Sequence, residues 1–250
     1  RKLSAIKKND VHLLHATLGK DVGIYTANRL LALIHTVFGK AIEWGWNKSN
    51  PAHGIKKFKE LSRNRFLEPD EIPCFFRALA EEGNKTATDY FLVSLLTGAR
   101  KANVLEMQWK EINFDRKIWV IPMTKNGESH TIPLVPELIT LLELRKGSTD
   151  SPWVFPGTGI TGHLVEPKKA WKRVLDNAGI DNLRIHDLRR SLGSWQASTG
   201  TSLPIIGKTL GHKNINTTAI YARVDLNPVR DSMITATDAM FAAAEGVDHD

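Results

Sequence analysis

The chain contains a single cysteine, Cys74, among 250 residues. That excludes an intrachain disulfide framework and fits a reducing compartment. No apolar run approaches the ~20 residues that a membrane-spanning helix requires, so no membrane partner is expected. No signal-peptide pattern opens the sequence, and internal repeats and low-complexity segments are lacking. The sequence begins at Arg1 without an initiating methionine, which reads as a fragment of a longer protein. Acidic residues are in deficit, 27 against 34 basic ones, for a net charge of +7. The isoelectric point is correspondingly near 9.5. Such a balance favours a polyanionic partner, nucleic acid being the usual one, although an ordinary basic protein has the same count. Hydrophobic residues at 42% and a mean hydropathy of -0.25 suit a soluble globular chain with a sizeable core.

Residues 1–60 read as helical. Leu30, Ile34, Val37, Phe38, Ala41 and Ile42 recur at helical spacing and predict one amphipathic helix of about twenty residues. Asn50-Pro51 stops the pattern that follows it. The run from Lys56 to Arg65, charged and poor in apolar periodicity, reads as a linker, with a solvated loop or strand as its alternative. From Phe66 onward, Ile72, Phe75, Phe76 and Leu79 form one helical face and Phe91, Leu92, Leu95 and Leu96 another. Gly98 predicts a helix stop, with a new helix opening near Arg100 or Lys101. Two β-type runs, Ile118–Ile121 and His130–Leu134, flank Lys125-Asn126-Gly127, and Asn-Gly is a strong hairpin-turn signal. Helices are expected around residues 136–145, 166–178, 186–199 and 204–210, then a short one containing Tyr221 and a tail helix from about Pro228. The fold class is therefore mainly α with a small β-sheet (α+β). The expected division is a helical domain over residues 1–60 and a second domain over residues 61–250.

Six polar residues form a chemically coherent set. His186 and Arg189 stand three apart and share a helix face, while Leu188, Leu192 and Trp195 lie on another. Arg100 opens a helical segment just after Gly98. Two arginines can clamp the non-bridging oxygens of a phosphodiester through charge-assisted hydrogen bonds, and grip harder as charge builds in the transition state. A tyrosine such as Tyr221, with an intrinsic pKa of ~10, needs a base or a strongly positive site to act as a nucleophile. His186 suits the base, Lys125 at a hairpin tip can protonate the leaving oxygen, and His212 can donate a hydrogen bond to the phosphate. Taken singly, each has an ordinary reading too: a surface ion pair, a structural arginine, a solvated turn lysine, a half-buried aromatic anchor.

In order and in context, these residues resemble the signature of the tyrosine recombinases of the phage integrase family. The pattern of Arg, Lys, His-x-x-Arg, His and Tyr falls on Arg100, Lys125, His186, Arg189, His212 and Tyr221. The flanking text agrees: Leu95-Leu96-Thr97-Gly98-Ala99-Arg100, His186-Asp187-Leu188-Arg189-Arg190-Ser191, and Leu210-Gly211-His212 followed nine residues later by Tyr221. The match runs from Phe66 to about Arg223, and less distinctly over residues 1–60. One departure is Asn103, where many members carry a glutamate, with Glu106 a turn later. This resembles the integrases of genomic islands and satellite phages, and leaves the buttress of Arg100 to come from elsewhere.

The resemblance implies a helical core-type DNA-binding domain at residues 1–60 and a catalytic domain thereafter. It implies cleavage of double-stranded DNA attachment sites through a 3′-phosphotyrosyl link, with neither metal nor cofactor. The chain would assemble as a homotetramer on DNA, with a monomer in solution left open, alongside DNA-bending helper proteins, in the bacterial cytoplasm. Arg29, Lys56 and Lys57 are candidate phosphate contacts, and the tail helix is a candidate for docking on a neighbouring protomer. Rival readings are a type IB topoisomerase, a catalytically silent DNA-binding module, and a metal nuclease built on His163, His186 and His212.

Overall fold

The computed structural model describes residues 2–61, 63–122, 128–214, 217–221 and 227–245. It divides into two compact units, Arg1–Arg63 and Asn64–Asp250.

In the first unit, α1 (Lys8–Asp21) packs on α2 (Ile24–Glu43). The Asp10 carboxylate accepts the Lys7 N–H at 2.9 Å, satisfying one of the donors that the start of α1 leaves free. The chain turns between the helices at Gly23, whose φ of 124° only glycine adopts readily. Val11, Leu31 and Ala52 form the small buried cluster. α2 contains all six positions of the predicted amphipathic helix.

The charged run after Ile55 is not a free linker. The Phe58 ring stacks on His15 with centroids 4.4 Å apart. That ring also fills the space over Gly19, where a Cβ would come within 2.4 Å of it. Buried Asn28 accepts the Phe58 N–H at 3.0 Å and donates to the Phe58 carbonyl at 2.9 Å and to Glu60 at 2.8 Å. One amide side chain thus performs the pairing that a neighbouring strand would provide. Composition hid this, because a single buried Asn and one Phe outweigh the lysines around them.

The second unit carries the larger core. Its helices are α3 (Glu71–Glu81), α4 (Lys85–Thr97), α5 (Lys101–Leu105), α6 (Pro136–Lys146), α7 (Lys168–Ala178), α8 (Asp187–Ser198), α9 (Leu203–Leu210) and α10 (Asn227–Glu245). α4 is buried almost all round and packs against α8, while α3 packs on α7. Phe75, Phe91 and Trp171 meet edge-on between them, with centroids 5.9 Å and 4.8 Å from Trp171. A three-stranded antiparallel sheet, β1 (Ile112–Asn113), β2 (Ile118–Ile121) and β3 (His130–Pro133), runs in the order β1-β2-β3. Trp119 pairs with Ile132 and Ile121 with His130. Trp119, Ile121 and Ile132 face the core. β1, two residues long, has too little pattern to be predicted, and the Lys125-Asn126-Gly127 turn lies outside the described residues.

α10 begins within a residue of the predicted tail helix and touches α8. From Ser232 to Met240 its side chains are exposed, Met233 at 65% and Met240 at 71%. Among the described residues, no helix is long and apolar enough to cross a membrane.

Candidate active site

The site is assembled on the C-terminal end of α9. Pro204 sits in the first turn of this helix, and Gly211 ends it in the left-handed conformation, at φ 61°. A helix end of this kind leaves carbonyls without partners inside the helix, and cationic donors nearby are favoured there. Two arginines from different elements take these carbonyls. Arg100 donates to the Gly211 carbonyl at 3.3 Å. Arg189 donates to the Leu210 carbonyl from one nitrogen and to the Gly98 carbonyl at 2.5 Å from another.

Gly98 explains why these groups meet. It ends α4 in the left-handed region at φ 59°, and Arg100 follows as the N-cap of α5. A Cβ on Gly98 would come within 2.7 Å of Leu210 and 2.9 Å of Leu192. The α4–α5 corner can therefore press against α8 and α9 only because position 98 is glycine. Arg100 is half-buried and Arg189 buried. Burial first, and then the charge of Arg100, lowers the Arg189 guanidinium to about 10, with Tyr221 opposing. It remains a cation at neutral pH. Asn103 has no part in this buttress: among the described residues, the partner of Arg100 is a carbonyl rather than a carboxylate.

His186 is the N-cap of α8 and Asp187 its first residue. Asp187 is fully buried, accepts the Arg184 N–H at 2.9 Å and pairs with Arg190 at 2.5 Å. That carboxylate is engaged with Arg190 and the Arg184 backbone. His186 is exposed, yet the protein packed around it and then the charges of Arg190 and Arg189 hold its imidazole below the usual range, with Asp187 opposing.

His212 directly follows the glycine cap. Its N–H returns to the Gly207 carbonyl at 2.9 Å, and its Nδ1 lies 2.9 Å from the hydroxyl of the buried Thr218. Burial first, then Arg189 and Arg100, lowers this imidazole to about 4. Tyr221 follows a turn at residues 218–220, its N–H bonding the Thr218 carbonyl at 3.0 Å, and is 4% exposed, in a cluster with Ile206 and Leu210. Its ring lies over α8 at Gly193, where a Cβ would come within 2.7 Å of the tyrosine Cζ. Burial raises the Tyr221 phenol, and the charges of Arg189 and Arg190 oppose that rise.

Five of the six expected residues therefore converge on α8, α9 and the α4–α5 corner. Lys125, the sixth, lies outside the described residues. Among the outlying candidates, Arg29 is exposed and pairs with Glu60 at 3.4 Å, and Lys56 and Lys57 are exposed. His163 packs on Trp153 with centroids 4.9 Å apart. Among the described residues, no three His, Cys, Asp or Glu side chains gather into a set able to hold a metal ion. Sequence reasoning missed Thr218, Gly193 and His130. His130 heads β3 and places its Nε2 3.1 Å from the Lys208 carbonyl. A threonine, a glycine and a strand histidine carry no periodic signal of their own.

This geometry can be set beside known proteins. The model of the phage integrase family matches residues 65–227, which is most of the second unit. The chain belongs to the phage integrase family. Curated relatives include a prophage integrase of Escherichia coli K12, 30% identical over 64% of this chain and 36% of the relative. The integrase of Salmonella phage P22 is 26% identical over 83% of this chain and 56% of its own length. The chain thus spans from about a third to just over half the length of these relatives. Among solved structures, the Tn1549 transposon integrase in complex with a circular intermediate DNA superposes with a TM-score of 0.74 at 15% identity, covering 93% of this chain and 86% of that one. A lambda integrase dimer bound to a COC′ core site gives 0.71 at 17% identity, covering 89% and 66%. At such identities the likeness establishes the shared integrase fold.

Proposed function

We propose that this protein is a site-specific DNA recombinase that cleaves and rejoins strands through a 3′-phosphotyrosyl intermediate. The observation carrying this reading is the arginine pair on adjacent carbonyls of one helix end, with His212 next in the chain and Tyr221 packed beside Leu210. In the proposed step, the Tyr221 oxygen attacks phosphorus as its proton passes to His186. The bond from phosphorus to the 5′ oxygen breaks, and Lys125 supplies the proton that oxygen needs. Rejoining reverses the sequence: a 5′-hydroxyl attacks phosphorus and expels the tyrosine.

Arg100 and Arg189 hold the non-bridging oxygens and stabilise the charge that grows on them. Arg189, together with Arg190, also favours the phenolate, opposing the burial that otherwise keeps Tyr221 protonated. His212 works as a neutral donor: when the Thr218 hydroxyl donates to Nδ1, the ring proton lies on Nε2 and can reach the phosphate. No step in this scheme requires a metal ion.

Double-stranded DNA attachment sites are the proposed substrate, approached by the helical first unit through Arg29, Lys56 and Lys57. Such phosphate contacts weaken with salt and carry little sequence information. We extend the reading to a tetramer on two sites, helper proteins that bend the DNA, action in the bacterial cytoplasm, and the genomic-island or satellite-phage subgroup that Asn103 suggests. A nicked suicide substrate incubated in EDTA should trap a covalent protein–DNA adduct. If Tyr221→Phe still forms it, the assignment is wrong. Relaxation of plasmid lacking an attachment site, without recombinant products, would favour a topoisomerase.

A further inference from the structure

The end of α9 receives a third donor besides the two arginines. His130 Nε2 lies 3.1 Å from the Lys208 carbonyl. A carbonyl only accepts, so this nitrogen carries the ring proton. The same carbonyl accepts the Gly211 N–H at 3.1 Å. The imidazole also covers Gly211, where a Cβ would come within 2.9 Å of both Cε1 and Nδ1. Glycine is thus required at position 211 twice over, for its φ of 61° and for the ring that lies on it. Two residues past Gly211, Lys213 meets Glu128 at 2.7 Å. Glu128 and His130 belong to the arm that leads into β3. This arm therefore holds the chain on both sides of Gly211-His212.

The carbonyls of Lys208, Leu210 and Gly211 accept from His130, Arg189 and Arg100 respectively. Two guanidinium groups this near each other repel, and the peptide planes of Leu210 and Gly211 hold them oriented. His130 in turn bonds the Lys208 carbonyl of the same turn and lies over Gly211. We propose that His130 is a positioning residue for DNA cleavage: it fixes the Lys208–Gly211 turn on which Arg189 and Arg100 are aligned and from which His212 starts. The proposal rests on the recombinase reading above. Burial first, and the charges of Arg189 and Arg100, hold the His130 imidazole below its usual range, with the Lys208 bond opposing. A neutral ring adds no third positive charge beside the arginines, which suits a role in alignment. Being half-buried at a strand end, His130 contributes little to the core.

The test separates the N–H from the ring. His130→Phe keeps a ring over Gly211 without a donor, and His130→Gln keeps a donor of about the same reach without the ring. Each variant is compared with wild type for single-turnover adduct formation on a nicked substrate at saturating DNA. DNA Kd and the thermal midpoint are measured alongside. The phenylalanine variant should form adduct about ten- to a hundredfold more slowly, as small misalignments of reacting groups do. Its Kd and thermal midpoint should stay unchanged, and glutamine should restore most of the rate. Wild-type rates in His130→Phe overturn the proposal. So does a weaker Kd with an unchanged saturating rate, which would make His130 a DNA contact, or a rate loss that follows the thermal midpoint in both variants. A wild-type protein that forms no adduct overturns the recombinase reading itself, and the proposal with it.

Discussion

Arg189 and Arg100 donate to consecutive carbonyls at the end of α9, Arg189 to Leu210 and Arg100 to Gly211. Both guanidinium groups are thereby oriented before any substrate arrives. Each keeps further N–H donors for a phosphate, since a guanidinium has five. The cost of holding the two charges together is visible in Arg189, lowered to about 10 by burial and by Arg100. A phosphate placed between them relieves that repulsion, and does so most when its oxygens carry the most charge.

Replacing Arg189 with lysine should therefore disable cleavage without abolishing binding. A single ammonium cannot serve the Gly98 and Leu210 carbonyls and still present a planar pair of donors. Adduct formation on a nicked substrate should fall by about 10²–10³-fold, as for loss of a preorganised transition-state donor. DNA affinity at moderate salt should change far less, because many phosphate contacts share it. A lysine variant that cleaves at the wild-type rate would remove the basis for the paired-arginine role.

Gly98 should be hard to replace. An alanine there must adopt φ near 59° and place its methyl within 2.7 Å of Leu210. The left-handed conformation alone costs roughly 1–2 kcal/mol for a residue with a Cβ, and the clash adds to it. Gly98→Ala should lower unfolding stability by about 2–4 kcal/mol, read from denaturant midpoints. Gly39, half-buried in α2 with nothing within 4 Å of its built Cβ, is the control. Alanine at that position should be neutral or stabilising, by up to ~1 kcal/mol.

Much of this arrangement is legible in the sequence, for reasons that can be named. α2 and the start of α5 follow from apolar period and from Gly98, both local signals. Arg100, His186, Arg189, His212 and Tyr221 stand in an ordered pattern, and the structure brings them together. What stayed hidden depends on contacts between distant residues. Asn28 looks like any polar helix residue until Phe58 and Glu60 are laid beside it, 30 and 32 positions away. His130 reads as one more residue of an alternating strand, and only the fold places it on Lys208, 78 positions on. Thr218 likewise gains meaning from His212 and from Gly207, whose Cβ would come within 3.1 Å of its hydroxyl.

Cutting the chain after Asn227 should separate assembly from chemistry. Met233, Ile234 and Met240 are each more than half exposed on α10, an apolar surface that a neighbouring protomer can cover. The truncated protein should still form the Tyr221 adduct on a nicked half-site and bind it with similar affinity. Its larger complexes on paired sites should be lost in sedimentation or native gel measurements. Unchanged assembly would show that the tail serves its own subunit.

Acid should destabilise the DNA-free protein through the histidines of the site. His212 is lowered to about 4 by burial and by Arg189 and Arg100, and His186 and His130 are lowered, mainly by the protein packed around them. In the unfolded chain these imidazoles titrate near ~6.5. Between the two values the unfolded chain binds more protons than the folded one. The stabilisation is thus complete above about 6.5 and is lost as pH falls toward about 4. The thermal midpoint of wild type should drop more steeply between about pH 7 and about pH 5 than that of His212→Gln, whose amide does not titrate. Carboxylates contribute equally to both curves and cancel in the comparison. A DNA phosphate beside His212 supplies the opposite charge, so the shift should shrink in the complex and binding should take up protons near pH ~5–6. Equal slopes for the two proteins, or no proton uptake on binding, would show that His212 does not face the phosphate.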